Sequence, residues 1–446
     1  MAGPFRSLAV RNFRLFAAGQ VVSVAGTWMM IVAQDWLVLG LTGDSARALG
    51  IVTALQFSPL LLLTLFGGRL ADRHDKRLLL TVANAVSAVL ALLLAGLVLS
   101  GAVRLWHIGL FALGLGVVNA VEVPARVSFV SEMVGAELLP NASALSAAYF
   151  STARVAGPAL AGLLIAAVGT GWVMLLNAAS YLATVVALRM MRPGELYRGA
   201  PESRARIVDG LRHVLARSDL VLPLALLAVV GLCGLNFQLT LPLLAKTVFD
   251  ADAHAFGLLT AAFAAGSLGA ALVTTARSGR PSGRTVAVSA LLFGVLETVA
   301  GCSPGFAAAM VLLALTGFAS IYFVQAANHR IQLGSDPRYR GRVMALYALI
   351  LQGSTPLGAL GTGWLAGRFG ARSGLVVGGL VSLAAGCAAL LAERAPARDA
   401  DGDADRDGTG AADTAPRQPP AQEAPEPSRH PEPPDGPDLR ERDRTA

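Results

Sequence analysis

Charge is scarce in this chain. Only 15% of its 446 residues are Asp, Glu, Lys or Arg, against 54% hydrophobic, a balance that no soluble protein of this length needs to fill its cores. The bulk of the sequence is therefore suited to lipid. Lysine is rarer still, present only as Lys76 after Asp75 and Lys246 after Ala245, so there is no GxxxxGK(S/T) loop with which to bind ATP. The three cysteines, Cys233, Cys302 and Cys387, stand far apart with neither CxxC spacing nor histidine partners, which argues against a metal site. No HExxH or GxSxG motif occurs and the histidines are scattered, so neither an enzyme nor a cofactor is expected. The net charge of +7 would suit nucleic acid if the basic residues formed one patch, but they fall in small clusters between apolar runs.

Long apolar runs are what the sequence does have. Leu49 to Phe66 and Leu78 to Leu99 carry no charge, and roughly 20 helical residues rising about 1.5 Å each cross a hydrocarbon layer of ~30 Å. Runs of this kind predict twelve membrane helices, near 15–41, 48–68, 78–99, 105–125, 142–168, 172–191, 219–245, 256–276, 285–303, 306–328, 343–367 and 373–392. The apolar run after Phe5–Arg14 is too long for a cleavable leader, so the first span is expected to stay in the membrane. Basic residues are retained in the cytoplasm. One set of loops holds Arg6, Arg11, Arg14, Arg69, Arg73, Lys76, Arg77 and Arg126, then the clusters 189–217, 277–284 and 330–342; the opposite set holds only Arg47, Arg104, Lys246, Arg368 and Arg372. Both termini are thus expected in the cytoplasm, with the chain in the plasma membrane.

Four regions follow: a six-helix bundle over 1–191, a linker over 192–218, a second six-helix bundle over 219–392 and a tail over 393–446. Ile207–Arg217 places apolar residues at helical spacing with arginine opposite, an amphipathic segment suited to an anionic leaflet or to a solvated linker. The tail is rich in Pro, Asp, Glu, Arg, Ala and Gly without an aromatic residue, and is expected to be disordered. Within it Asp403–Gly408 imitates the start of a calcium loop, but Thr414 stands where the bidentate glutamate belongs.

An ionisable group within a span is costly and so a functional candidate. Asp35, late in the first span, could gain and lose a proton as its access changes, or simply anchor at the outer interface beside Trp36. Glu122 and Arg126, four apart on one face of the fourth span, can pair as a charge relay or inner gate, or cap a helix end. Arg154, twelve residues into the fifth span, lies about 18 Å deep and must face a partner or a wet cavity. Glu297 sits near the outer end of the ninth. Gly157 and Pro158, with Gly162 beyond, would bend the fifth span and admit a close neighbour. Gln34, Asn119, Asn236, Gln238, Tyr322 and Gln325 are candidates to line a substrate cavity or to join helices by hydrogen bonds.

The cassette Gly68-Arg69-Leu70-Ala71-Asp72-Arg73-His74-Asp75-Lys76-Arg77, between the second and third spans, resembles the signature of the major facilitator superfamily. Asn12–Phe16, Gly26–Met29, Asn119–Arg126 and Gly157–Gly162 give a further likeness to the branch holding the enterobactin exporter and macrolide efflux proteins. The resemblance covers about 1–392. It implies an all-α integral membrane protein of twelve helices in two pseudo-symmetric six-helix bundles, a monomer that exports a small amphipathic molecule against protons by alternating access. It also implies gating by Gly68 and Asp72, with Asp72 facing the start of the eleventh helix, and an inner cluster of Arg73, Arg77, Glu122, Arg126 and Glu132. Asp75 departs from the signature, which has a glycine before its basic pair. A sensor or scaffold that keeps the fold without transporting is the competing reading.

Overall fold

Hydrocarbon offers a backbone N–H or C=O no water, so an apolar chain closes its hydrogen bonds within helices. The computed structural model describes residues 5–197, 212, 214, 215, 217–275, 279–336 and 339–394, and among them there is no strand. The helices are α1 (Arg11–Thr42), α2 (Ala46–Arg73), α3 (Lys76–Leu99), α4 (Leu105–Val168), α5 (Thr170–Arg189), α6 (Ser218–Cys233), α7 (Phe237–Leu243), α8 (Ala253–Thr275), α9 (Gly283–Gly301), α10 (Phe306–Gly334), α11 (Arg340–Phe369) and α12 (Arg372–Arg394). Side chains cap several starts: Ser45 accepts from Ala48 N, Asp75 from Leu78 N and Ser282 from Thr285 N.

Three boundaries differ from expectation. The loop expected between the fourth and fifth spans is absent, because α4 runs for 64 residues and reverses at Gly135 alone, with φ 69° and ψ 175°. Arg126 and Phe150 would lie about 36 Å apart on a straight helix, yet the guanidinium stands 4.4 Å from the ring centroid. The two arms of α4, 105–134 and 136–168, therefore run antiparallel. Eleven helical stretches among the described residues are long and apolar enough to cross a membrane, and the doubled α4 makes them consistent with twelve crossings. Second, the expected 219–245 span is broken at residues 234–236, after which α7 continues into a π turn over Leu244–Val248. Third, α12 extends through Arg394, two residues into the expected tail. The tail beyond it, the Asp403–Gly408 segment, Arg277 and most of 207–217 lie outside the described residues.

Within the first half α2 packs on the first arm of α4, α1 on the second arm and on α5, and α3 on α5; within the second half α9 packs on α12 and α10, and α8 on α10. The halves meet where α2 crosses α11 and the second arm of α4 crosses α8. A Cβ on Gly50 would stand 2.7 Å from Ala359 O and 3.2 Å from Gly363 Cα; one on Gly162 would stand 2.7 Å from Ala253 O and 2.9 Å from His254 Cα. Both crossings lie at the end of the molecule distal to the termini, as does the ion pair between Lys246 Nζ and Asp44 Oδ1 at 2.7 Å. Large apolar side chains such as Leu62, Leu93, Leu110 and Leu272 are exposed on the periphery, as lipid contact requires.

Because φ near +70° with extended ψ is open essentially to glycine alone, Gly135→Ala should cost roughly 1–3 kcal/mol. The expected result is a lowered unfolding midpoint for the purified protein in detergent, and an unchanged midpoint would show that the reversal does not depend on that backbone conformation.

Candidate functional site

The site begins with two residues seven apart on one face of α1. Trp28 and Asp35 are two helical turns apart, about 10 Å along the axis, and both line a cavity of about 280 Å³. Asp35 is 1% exposed, and neither carboxylate oxygen has a hydrogen-bond partner among the described residues. Arg154, from the second arm of α4, reaches the same cavity and lays its guanidinium over the Trp28 ring at 5.6 Å from the centroid. Asp35 and Arg154 are the charged groups among the lining residues, and they form no direct ion pair. Pro158, four residues after Arg154, has no N–H to offer the Arg154 carbonyl, and Gly157 lets Trp28 and Ala25 of α1 approach that stretch of helix.

The opposite wall is built by the broken seventh span. Residues 235–239 and Leu241 line the cavity, so the interruption of α6 and α7 faces a space where irregular backbone is tolerated. Asn236 turns its amide back to donate to Leu232 O at 2.9 Å, while Gln238 Nε2 has no partner among the described residues. Phe237 packs on Phe263, with ring centroids 4.2 Å apart. Next to the cavity Trp36 stacks on Phe256 at 6.1 Å and receives Lys246 Nζ at 5.2 Å from its centroid.

Of the polar residues expected at a cavity, Asn236 and Gln238 line this one. Gln34 does not: it is buried and donates to Gln56 Oε1 at 3.1 Å, joining α1 to α2. Tyr322 lines a separate cleft with Ser282 and Thr285, and Asn119 and Gln325 are not on the cavity wall. Trp28, Phe57 and Phe256 were missed because an aromatic residue in an apolar run gives no sign of which side it faces.

At the end bearing the termini, α2 closes at Arg73 and Asp75 caps α3, so the residue that departs from the family signature satisfies a helix start. The space beside Gly68, one of the expected gating residues, is open, whereas Gly67 lies against the backbone of Ala120 and Val121. The expected inner cluster is also divided. Glu122 and Arg126 pair at 3.6 Å with side chains largely covered, but Glu132 pairs with Lys76. Arg77 instead donates to Leu188 O at 2.7 Å and to Arg189 O at 3.0 Å, closing the end of α5. Asp72 and Arg73 are exposed, with no ion pair among the described residues.

Comparison with known proteins adds the following. The profile of the transmembrane secretion effector family matches residues 2–412. The multidrug efflux pump Tap of Mycolicibacterium fortuitum is 28% identical over 394 residues, spanning 85% of this chain and 95% of that protein. The macrolide efflux protein A of Streptococcus pyogenes is 22% identical over 388 residues, spanning 85% and 95%. The staphyloferrin A transporter of Staphylococcus aureus is 26% identical over 269 residues, 58% of this chain and 66% of that one. Among solved structures, a bacterial homologue of the lysosomal transporter Spinster superposes with a TM-score of 0.69 at 14% identity, covering 86% and 97% of the two chains. The nucleoside transporter NupG gives 0.69 at 10% identity, covering 86% and 99%.

The contrast between adjacent glycines is testable. Gly67→Val should abolish recovery of monodisperse protein, since nothing flexible is available to yield, while Gly68→Val should purify like the parent in size-exclusion chromatography. Equal behaviour would refute the α2–α4 contact.

Proposed function

The chain belongs to the transmembrane secretion effector family of the major facilitator superfamily, and from that we propose that it exports small amphipathic organic molecules in exchange for protons. The relatives are transporters rather than enzymes, and the chain is a multi-pass membrane transporter that handles a small molecule. The observation that supports the finer reading is the cavity itself, an apolar chamber holding one carboxyl and one guanidinium that do not neutralise each other. A proton on Asp35 removes its charge from hydrocarbon, and a substrate's polar group competes for Arg154 and Asp35, so the two loads bias one another. Trp28 and the phenylalanines supply a surface that accepts many shapes. Drugs, macrolides and siderophores are the molecules named for the relatives.

We read the described conformation as facing the cytoplasm. Its distal end is held by the Gly50 and Gly162 crossings and by Asp44 with Lys246, and the arginine-rich end that bears both termini faces inward. The protein works as a monomer whose two six-helix bundles, divided at the 192–218 linker, rock about the cavity. Residues 50, 61, 353 and 363 set α2 antiparallel to α11, and the same register carries Asp72 towards the first turn of α11. There the helix N-terminus attracts a carboxylate. Closure of that end makes the Asp72 latch, with Glu122 and Arg126 behind it.

The deciding experiment uses proteoliposomes loaded with ethidium under an imposed pH gradient. Wild type should move dye in proportion to the gradient and Asp35→Asn should lose that dependence; coupling that survives in the variant sinks the assignment. Asp72→Asn should insert normally yet shift cysteine accessibility towards the inward-facing form, and unaltered accessibility would remove Asp72 from the gate. Resistance of a pump-deficient host across a panel of toxic compounds identifies the substrates, and no protection together with no flux would favour the scaffold.

A further inference from the structure

The second half holds a buried carboxyl that the cavity does not use. Glu297, on α9, is 1% exposed, and its Oε2 has no hydrogen-bond partner among the described residues. Its position is specific. A Cβ on Gly234 would stand 3.0 Å from Oε2, and one on Gly378 of α12 would stand 3.0 Å from Oε1, so two glycines leave the slot that the carboxyl occupies. Gly234 is the first residue of the break in the seventh span.

One turn earlier on the same face of α9 is Phe293, fully buried, whose ring stands 2.8 Å from where a Gly234 Cβ would be and meets Phe237 edge-on at 6.1 Å between centroids. Phe293 and Glu297 thus hold the break from behind, while residues 235–239 present its other side to the cavity.

Among the described residues no cation answers this acid. From α6 the titratable group facing it is the Cys233 thiol. From α12 come Gly378 and Ser382, the latter donating to Gly378 O at 2.8 Å. Arg372, at the start of α12, is directed to Gly301 O at 3.4 Å. On α10 the titratable residues Tyr322, His329 and Arg330 lie towards the opposite end, and Arg284 lies at the far end of α9. A carboxylate so enclosed, with no counter-charge among the described residues, is costly, and a proton is the smallest ligand that relieves it.

We infer that Glu297 is a second proton-binding site, distinct from the cavity, whose occupancy sets the conformation of the break at residues 234–236. Protonated, the carboxyl rests in the glycine slot and α6 and α7 stay docked on α9. Deprotonated, it draws towards water at the rim, the slot empties, and the break loosens on the side that lines the cavity. A second site of this kind lets external pH act on the cavity wall without competing with substrate for Asp35.

The test is hydrogen–deuterium exchange of the full-length protein in lipid nanodiscs, scanned over pH and corrected for intrinsic amide rates. In wild type the amides of residues 234–240 should exchange several-fold faster as pH rises; E297Q should hold them at the slow level throughout, and D35N should retain the dependence. The D35N arm separates failure here from failure of the proposed coupling. Dicyclohexylcarbodiimide, which tags protonated carboxyls in apolar surroundings, should mark Glu297 in wild type at low pH and less as pH rises, read by mass spectrometry. Tagging that does not vary with pH, or pH-dependent exchange that persists in E297Q, overturns the inference. If E297Q does not purify in a folded state, the tagging of wild type decides alone.

Discussion

Helices dissolved in hydrocarbon gain nothing by pressing one leucine against another, because lipid is as apolar as leucine. Association must come from close approach, and this structure depends on that constraint throughout. The two most extensive crossings between the halves are each built on a pair of glycines, Gly50 with Gly363 and Gly162 with Gly257. These crossings are related by the pseudo-symmetry of the fold, since the second span of one half meets the fifth span of the other in both cases. Interfaces made of backbone contact rather than interlocked side chains can part and re-form without repacking.

Charge is then placed where close packing leaves room. Asp35 and Arg154 share a cavity without touching, the second stacked on Trp28 rather than paired with a carboxylate. An ion pair there would be a finished interaction; two separated charges each remain open to another partner. At the end bearing the termini the opposite arrangement holds, with Lys76 on Glu132, Arg126 on Glu122 and Arg77 on the carbonyls that finish α5.

Much of the fold is legible in the sequence because hydropathy reports depth. Most spans fall within a few residues of the apolar runs, and Asp35, Arg154, Asn236 and Gln238 stand out as polar residues at cavity depth. Azimuth is another matter. A shift of one position turns a side chain by about 100°, which is why Gly67 rather than Gly68 meets α4, and why Gln34 serves Gln56 while its neighbour Asp35 faces the cavity. The break at 234–236 was hidden because Leu235 and Phe237 keep the run apolar across it, and the reversal at Gly135 because a single glycine does the work of a loop. Glu297 looked peripheral by its place in the ninth span and is enclosed by residues brought from α6 and α12.

The scarcity of lysine has a practical side. The two in the chain sit at opposite ends of the molecule, each held by one carboxylate: Lys76 by Glu132 and Lys246 by Asp44. An amine-directed reagent therefore meets two natural lysine reporters, one per end of the molecule, distinguishable by mass and free of engineered cysteines. The ratio of the two modifications gives a readout of which end is the more accessible in the unaltered protein.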